Sequence, residues 1–207
     1  MNLQTEITLK KETRNPISYN SKIFLFGSCF SENIGSKIEY FKFENTINPF
    51  GILFHPIAIE MLITNIVNEK IYTEKDIFFH NERWHCYEAH SELSNPSKED
   101  LLLKLNAAIS TANTQLKEVS HVIITLGTSW AYRLIETDTV VANCHKVPQK
   151  KFLKELLLID EITNSLEAII TLIKSVNNNI EIIFTVSPVR HLKDGFVENM
   201  RSKSHLL

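Results

Sequence analysis

An apolar run that breaks into a helix through two small residues constrains this chain more than any other feature. Ile23-Phe24-Leu25-Phe26 is short and unalternating, the pattern of a strand buried on both faces. Gly27-Ser28 follows, and residues 31–40 read as helical, with Ile34, Ile38 and Phe41 on one face. Such a junction places the Ser28 hydroxyl at the carboxyl end of the strand, where open α/β sheets bind ligands. It also sets Ser28 beside unpaired N–H groups and the positive end of a helix dipole, which suits an oxyanion. Local chemistry alone favours the plainer use of Ser28 and Ser31 as turn and N-cap residues, the common role of serine at such a junction.

The same alternation continues along the chain. Residues 121–127 and 180–186 form two further apolar, β-branched runs that read as buried strands, and Phe41-Lys42-Phe43-Glu44 alternates as a weaker one. Leu3, Thr5, Ile7 and Leu9 alternate with polar residues as a short edge strand would. Helical spacing marks 56–70, opened by Pro56, as well as 97–117, 150–158, 160–176 with Asp160 as N-cap, and a last segment from residue 194. Residues 76–92 read as a hairpin turning at Asn81-Glu82, and 130–144 as a second, turning at 136–139. The fold class expected is α/β: a three-layer, doubly wound, mostly parallel sheet. Its strand ends at Ser28, Gly127 and Ser187 then lie along one edge. A chain of 207 residues accommodates one such domain, 1–207.

Composition narrows the partners. A net charge of -2 gives no footprint for nucleic acid or for an anionic membrane surface. No apolar run reaches membrane-spanning length, and residues 1–14 lack the apolar core of a signal peptide. Three widely spaced cysteines, Cys29, Cys86 and Cys144, do not form a disulfide framework; they fit a reducing, cytoplasmic setting. His80, His85, His90 and Cys86 lie close in sequence, and Cys144-His145 could join them. Their spacing matches no standard zinc pattern, so aromatic and imidazole groups lining a pocket are expected rather than a metal or other cofactor.

Gly27-Ser28-Cys29-Phe30, followed by Ser31-Glu32, resembles the signature of the GSCFA family. The resemblance continues at Asn48-Pro49-Phe50-Gly51-Ile52-Leu53-Phe54-His55-Pro56 and at Thr125-Leu126-Gly127-Thr128-Ser129-Trp130-Ala131-Tyr132. It resumes at Val141-Ala142-Asn143-Cys144-His145-Lys146-Val147-Pro148 and at Thr185-Val186-Ser187-Pro188-Val189-Arg190-His191. That family is grouped with the SGNH (GDSL-like) hydrolases. The resemblance therefore implies an SGNH or flavodoxin-like sheet, Ser28 as nucleophile, and Gly51 as a backbone donor to an oxyanion hole.

The chain departs from the SGNH pattern in two places. Ser129 stands where those enzymes carry an oxyanion-binding asparagine, and Asn143 is the candidate amide to replace it. The Asp-x-x-His pair that supplies base and orienting acid is absent, and the resemblance implies that the family domain continues past residue 207. His55, His145 and His191 are the candidate imidazoles present, and His191-Leu192-Lys193-Asp194 reverses the order of the missing pair. Two functional expectations follow. One is a serine hydrolase acting on an O-acyl ester of a small molecule or carbohydrate, with Ser28 attacking the carbonyl. The other is a non-catalytic module that keeps the pocket for a glycan or acylated ligand. Cys29, which shares the helix start, is a further candidate nucleophile.

Overall fold

The computed structural model describes residues 13–207; the alternating segment at Leu3 to Leu9 lies outside them. Four parallel strands form the centre: β1 (Lys22–Gly27), β2 (Glu44–Ile47), β5 (His121–Leu126) and β9 (Glu181–Val186), in the order β2-β1-β5-β9. Antiparallel pieces are appended to this sheet. A hairpin joins β3 (Phe78–His80) to β4 (Arg83–His85). A second sheet sets β6 (Trp130–Leu134) between β7 (Thr139–Val141) and β8 (Phe152–Leu156). Five α-helices complete the described residues: α1 (Cys29–Tyr40), α2 (Pro56–Val67), α3 (Lys98–Glu118), α4 (Ile159–Val176) and α5 (Phe196–Leu206).

Helices cover the parallel sheet. α2, α3 and α4 pack on one another, while α1 packs on β1, β2 and β5. β1 and β5 are accordingly buried along nearly their whole length, with Phe24, Phe26, Val122 and Ile124 at the centre of the main core. Gly35 lets α1 approach β2 closely, since a Cβ there would lie 2.4 Å from Ile47 Cδ1. The chain leaves β1 for β2 on one side and later returns to β5 on the other. The crevice between the carboxyl ends of β1 and β5 is therefore the topological switch point of the sheet.

Three local expectations are corrected. Residues 150–158 are not helical: after a single 3-10 turn at Gln149–Lys151 they form β8, which pairs with β6 from Trp130↔Leu156 to Leu134↔Phe152. The helical spacing of leucines is overridden by an open strand edge that supplies backbone partners. Phe41 caps α1, and Lys42 turns the chain with φ +68, so β2 begins only at Glu44. Asp160 lies inside the first turn of α4; the chain enters the helix at Leu158, whose N–H donates to Glu161 Oε2 at 2.7 Å. The hairpin turn at Asn81-Glu82 forms as expected, both residues having positive φ (45 and 60).

Candidate functional site

Ser28 is built into its position by the residues on either side. Gly27 has φ +128, and a Cβ there would lie 2.1 Å from Thr125 O, so only glycine permits β1 to turn this close to β5. The Asn48 carboxamide holds the turn by accepting the Gly27 N–H at 2.9 Å, and Leu53 N–H donates to Gly27 O at 3.1 Å. Ser28 then caps α1: its Oγ accepts the Phe30 N–H at 3.3 Å. Ser31 Oγ ties the first turn back by donating to Phe26 O at 2.9 Å.

The neighbouring strand end closes against this turn. Gly127 and Thr128 both donate their N–H groups to Phe54 O, at 2.8 and 3.2 Å. A Cβ on Gly127 would lie 3.2 Å from Ser28 Cβ, which sets the two residues side by side. Ser187, at the end of β9, donates its N–H to Leu126 O at 2.8 Å. Ser28, Gly127 and Ser187 thus line one sheet edge, at the switch point.

A cavity of about 460 Å³ opens beside this edge, between the parallel sheet and the second sheet. Phe54 and Gly127 form the wall nearest Ser28; Trp130, Tyr132 and Phe152 give apolar surface; Asn143, Gln149, His191 and Lys193 give polar surface. Lys154 Nζ sits 4.5 Å from the Trp130 ring centroid, and Trp130 Nε1–H donates to Glu198 O at 3.3 Å. Ser28 itself is 1% exposed and lies behind the wall rather than on it.

The other expected site residues fall in different places. Asn143, His191 and His55 line the cavity. Asn143 Oδ1 accepts the His145 N–H at 2.8 Å, bending the loop. Gly51 closes a turn by donating its N–H to Asn48 O at 2.8 Å, and its α-carbon faces His90 rather than Ser28. Ser129 is fully buried and donates its hydroxyl to Ser202 O on α5 at 2.9 Å. His145 packs under the hairpin, its Nδ1 3.1 Å from His85 Nδ1 and its Nε2 2.7 Å from Cys86 O. Burial pushes its pKa down to about 4, so it stays neutral. His55 accepts the Ala58 N–H with Nδ1 at 3.2 Å, which leaves Nε2 to donate to Val141 O at 3.2 Å. Burial likewise brings it to about 4. Both imidazoles serve as internal hydrogen-bonding groups.

Burial raises the Cys86 thiol to about 12 and the Cys144 thiol to about 11, which disfavours thiolate chemistry at either. Among the described residues, no three His, Cys, Asp or Glu side chains converge as metal ligands would. No helix among them is long and apolar enough to cross a membrane.

Two contributors escaped the sequence reading. Asn48 stands in a motif whose Pro and Gly signal only a turn, yet its side chain is what fastens the Gly27 turn. Lys203 lies on α5, in a segment with no motif. Its Nζ donates to Gly127 O at 2.6 Å and to Ser187 O at 2.7 Å, bridging the ends of β5 and β9. Burial lowers its pKa, against the opposing influence of Cys29, the residue after Ser28.

Fold and site together define an α/β protein with a mostly parallel sheet and a serine-bearing turn at the switch point. Residues 22–207 match the GSCFA family, and the chain belongs to it. No curated protein and no solved structure gives a significant match.

Proposed function

We propose that the chain is a serine-dependent hydrolase of the SGNH type, with Ser28 as nucleophile toward an O-acyl ester of a small molecule or carbohydrate. One observation carries this reading: Ser28 stands at the amino terminus of α1, at the switch point of the sheet, with Gly127 of the β5 strand end directly beside it. The helix end and Lys203 make that position electropositive, which favours the negative charge of a tetrahedral intermediate. The cavity across Gly127 combines aromatic faces with amide and imidazole groups, a lining suited to a sugar ring or short acyl chain. The test is reaction with a fluorophosphonate probe, mapped by peptide mass, together with turnover of a panel of O-acetylated sugars and small esters. Ser28 labelling and turnover, both lost in Ser28→Ala, are expected. Turnover that survives Ser28→Ala would sink the assignment.

A second reading has its own support. Ser28 is closed off while the cavity beside it is open; His55 lines that cavity with both ring nitrogens committed to Ala58 N–H and Val141 O, and His145 is bound under the hairpin. On that reading the chain is a binding module for a glycan or acylated ligand. Saturable sugar or ester binding that persists in Ser28→Ala, without hydrolysis by either protein, would favour it.

A further inference from the structure

The resemblance assigns oxyanion stabilisation to Gly51 and to the position of Ser129, but the structure spends those donors elsewhere. The Ser28 N–H donates to Thr125 O at 3.1 Å, the Gly51 N–H to Asn48 O at 2.8 Å, and the Ser129 hydroxyl to Ser202 O at 2.9 Å. Lys203 offers what these groups do not. It is fixed by two hydrogen bonds to backbone carbonyls, and an ammonium has three N–H donors, so one remains after Gly127 O and Ser187 O are satisfied. Both acceptors are neutral, so neither cancels its charge. Gly127, which it grips, lies against Ser28. Ser202, one residue earlier, anchors the same helix by accepting the Ser129 N–H at 2.8 Å. Lys203 therefore cannot drift from the sheet edge without α5 moving.

Resting on the reading of Ser28 as nucleophile, we infer that Lys203 is a catalytic residue, the cation that stabilises the oxyanion formed when Ser28 attacks. Ser28 Oγ bonds to the acyl carbon, and the carbonyl π pair moves onto oxygen, beside the ammonium. When the intermediate collapses, the C–O bond to the alcohol breaks. The serine proton, relayed through solvent, ends on the departing alkoxide. Water then adds to the acyl carbon; as that intermediate collapses the Oγ–C bond breaks, the carboxylic acid leaves and a water proton returns to Ser28 Oγ. Lys203 keeps its proton throughout and acts by charge. A purely structural lysine, clamping β5 to β9, would instead affect melting temperature with no charge-dependent effect on reaction rate.

The experiment measures the rate of Ser28 phosphonylation by a fluorophosphonate across pH 6 to 10, in the full chain, Lys203→Met and Lys203→Arg, with melting temperature alongside. Lys203→Met is expected to slow labelling by roughly 100-fold, as loss of an oxyanion donor does. Lys203→Arg should retain more of the rate. The ratio of wild-type to Lys203→Arg rates should fall as pH rises through the lysine titration, because arginine stays charged. Labelling of Lys203→Met at the wild-type rate, or a ratio that stays flat or rises with pH, would overturn the inference while leaving Ser28 as nucleophile. Absence of Ser28 labelling in the wild type would overturn the nucleophile reading, and this inference with it. Should Lys203→Met fail to fold, the pH ratio between wild type and Lys203→Arg still decides.

Discussion

The sheet edge at Ser28 and the imidazole cluster under the β3–β4 hairpin are both rich in polar side chains, and they use them in opposite ways. Around His145 each ring N–H ends on a backbone carbonyl: His145 Nε2–H on Cys86 O at 2.7 Å and His85 Nε2–H on His80 O at 2.9 Å, while His85 Nδ1 accepts from the Ser94 hydroxyl at 2.7 Å. Phe78 and Tyr87, stacked at 4.0 Å between centroids, pack around them. The result is a neutral polar core whose ring N–H groups are satisfied by backbone carbonyls. At Ser28 the same closeness produces a demanding backbone turn, a helix amino terminus and a half-buried cation whose two acceptors carry no charge. Density of chemistry-bearing residues in sequence marks the first region; unbalanced charge and backbone demand mark the second. Buried polar groups that satisfy one another specify a fold, whereas uncompensated ones point to a site.

The largest effect expected on either region comes from Gly27→Ala. The new methyl would overlap Thr125 O in a backbone conformation that L side chains rarely adopt, so β1 and β5 must part. A loss of more than about 3 kcal/mol in unfolding free energy is expected, measured by urea denaturation. Stability within 1 kcal/mol of wild type, on the scale of ordinary point substitutions, would show that the turn can relax.

Acid should act on the imidazole region next. His145 and His55 hold their folded pKa values near 4, below the 6.5 of a free imidazole. Their neutral burial thus contributes stability that is fully present above about pH 6.5 and is lost as pH falls toward 4. Each represents roughly 3 kcal/mol across that window. His145 has φ +49, which asparagine tolerates, so His145→Asn is the informative variant. It should be less stable than wild type at neutral pH, lose about half as much stability between pH 7 and 4, and label at Ser28 unchanged. An acid response equal to that of wild type would remove His145 from the account.

The fold was legible where one strand or helix could be read from its own residues. The three apolar runs became β1, β5 and β9 with bounds near those expected, and the region of 97–117 became α3. Ser28 was legible for the same reason: the strand, the turn and the helix that place it are contiguous. Residues 150–158 were not, because their strand state is set by β6, some 20 positions earlier, and leucine spacing carries no record of that partner. Lys203 was illegible for a related reason. It reaches Gly127 across 76 positions of chain, and only tertiary packing brings α5 to the sheet edge. Gly51 and Ser129 were motif positions whose donors proved to be committed locally or to α5, which a pattern of residue types does not reveal.

The smallest expected stability effect separates the two regions most cleanly. Ser28→Ala removes an N-cap whose hydrogen bond to Phe30 N–H is long, at 3.3 Å, and leaves the adjoining Ser31 Oγ to Phe26 O bond in place. A loss of about 1 kcal/mol or less is expected, with no change in the acid response, since no imidazole bonds to the Ser28 side chain. Reactivity toward the fluorophosphonate should nevertheless disappear. His145→Asn inverts this pattern, with a larger loss of stability and intact labelling. Paired melts and labelling of the two variants therefore read structure and reactivity on separate axes. If Ser28→Ala instead destabilised the protein by as much as His145→Asn, Ser28 would belong with the satisfied core, and the contrast between the two regions would collapse.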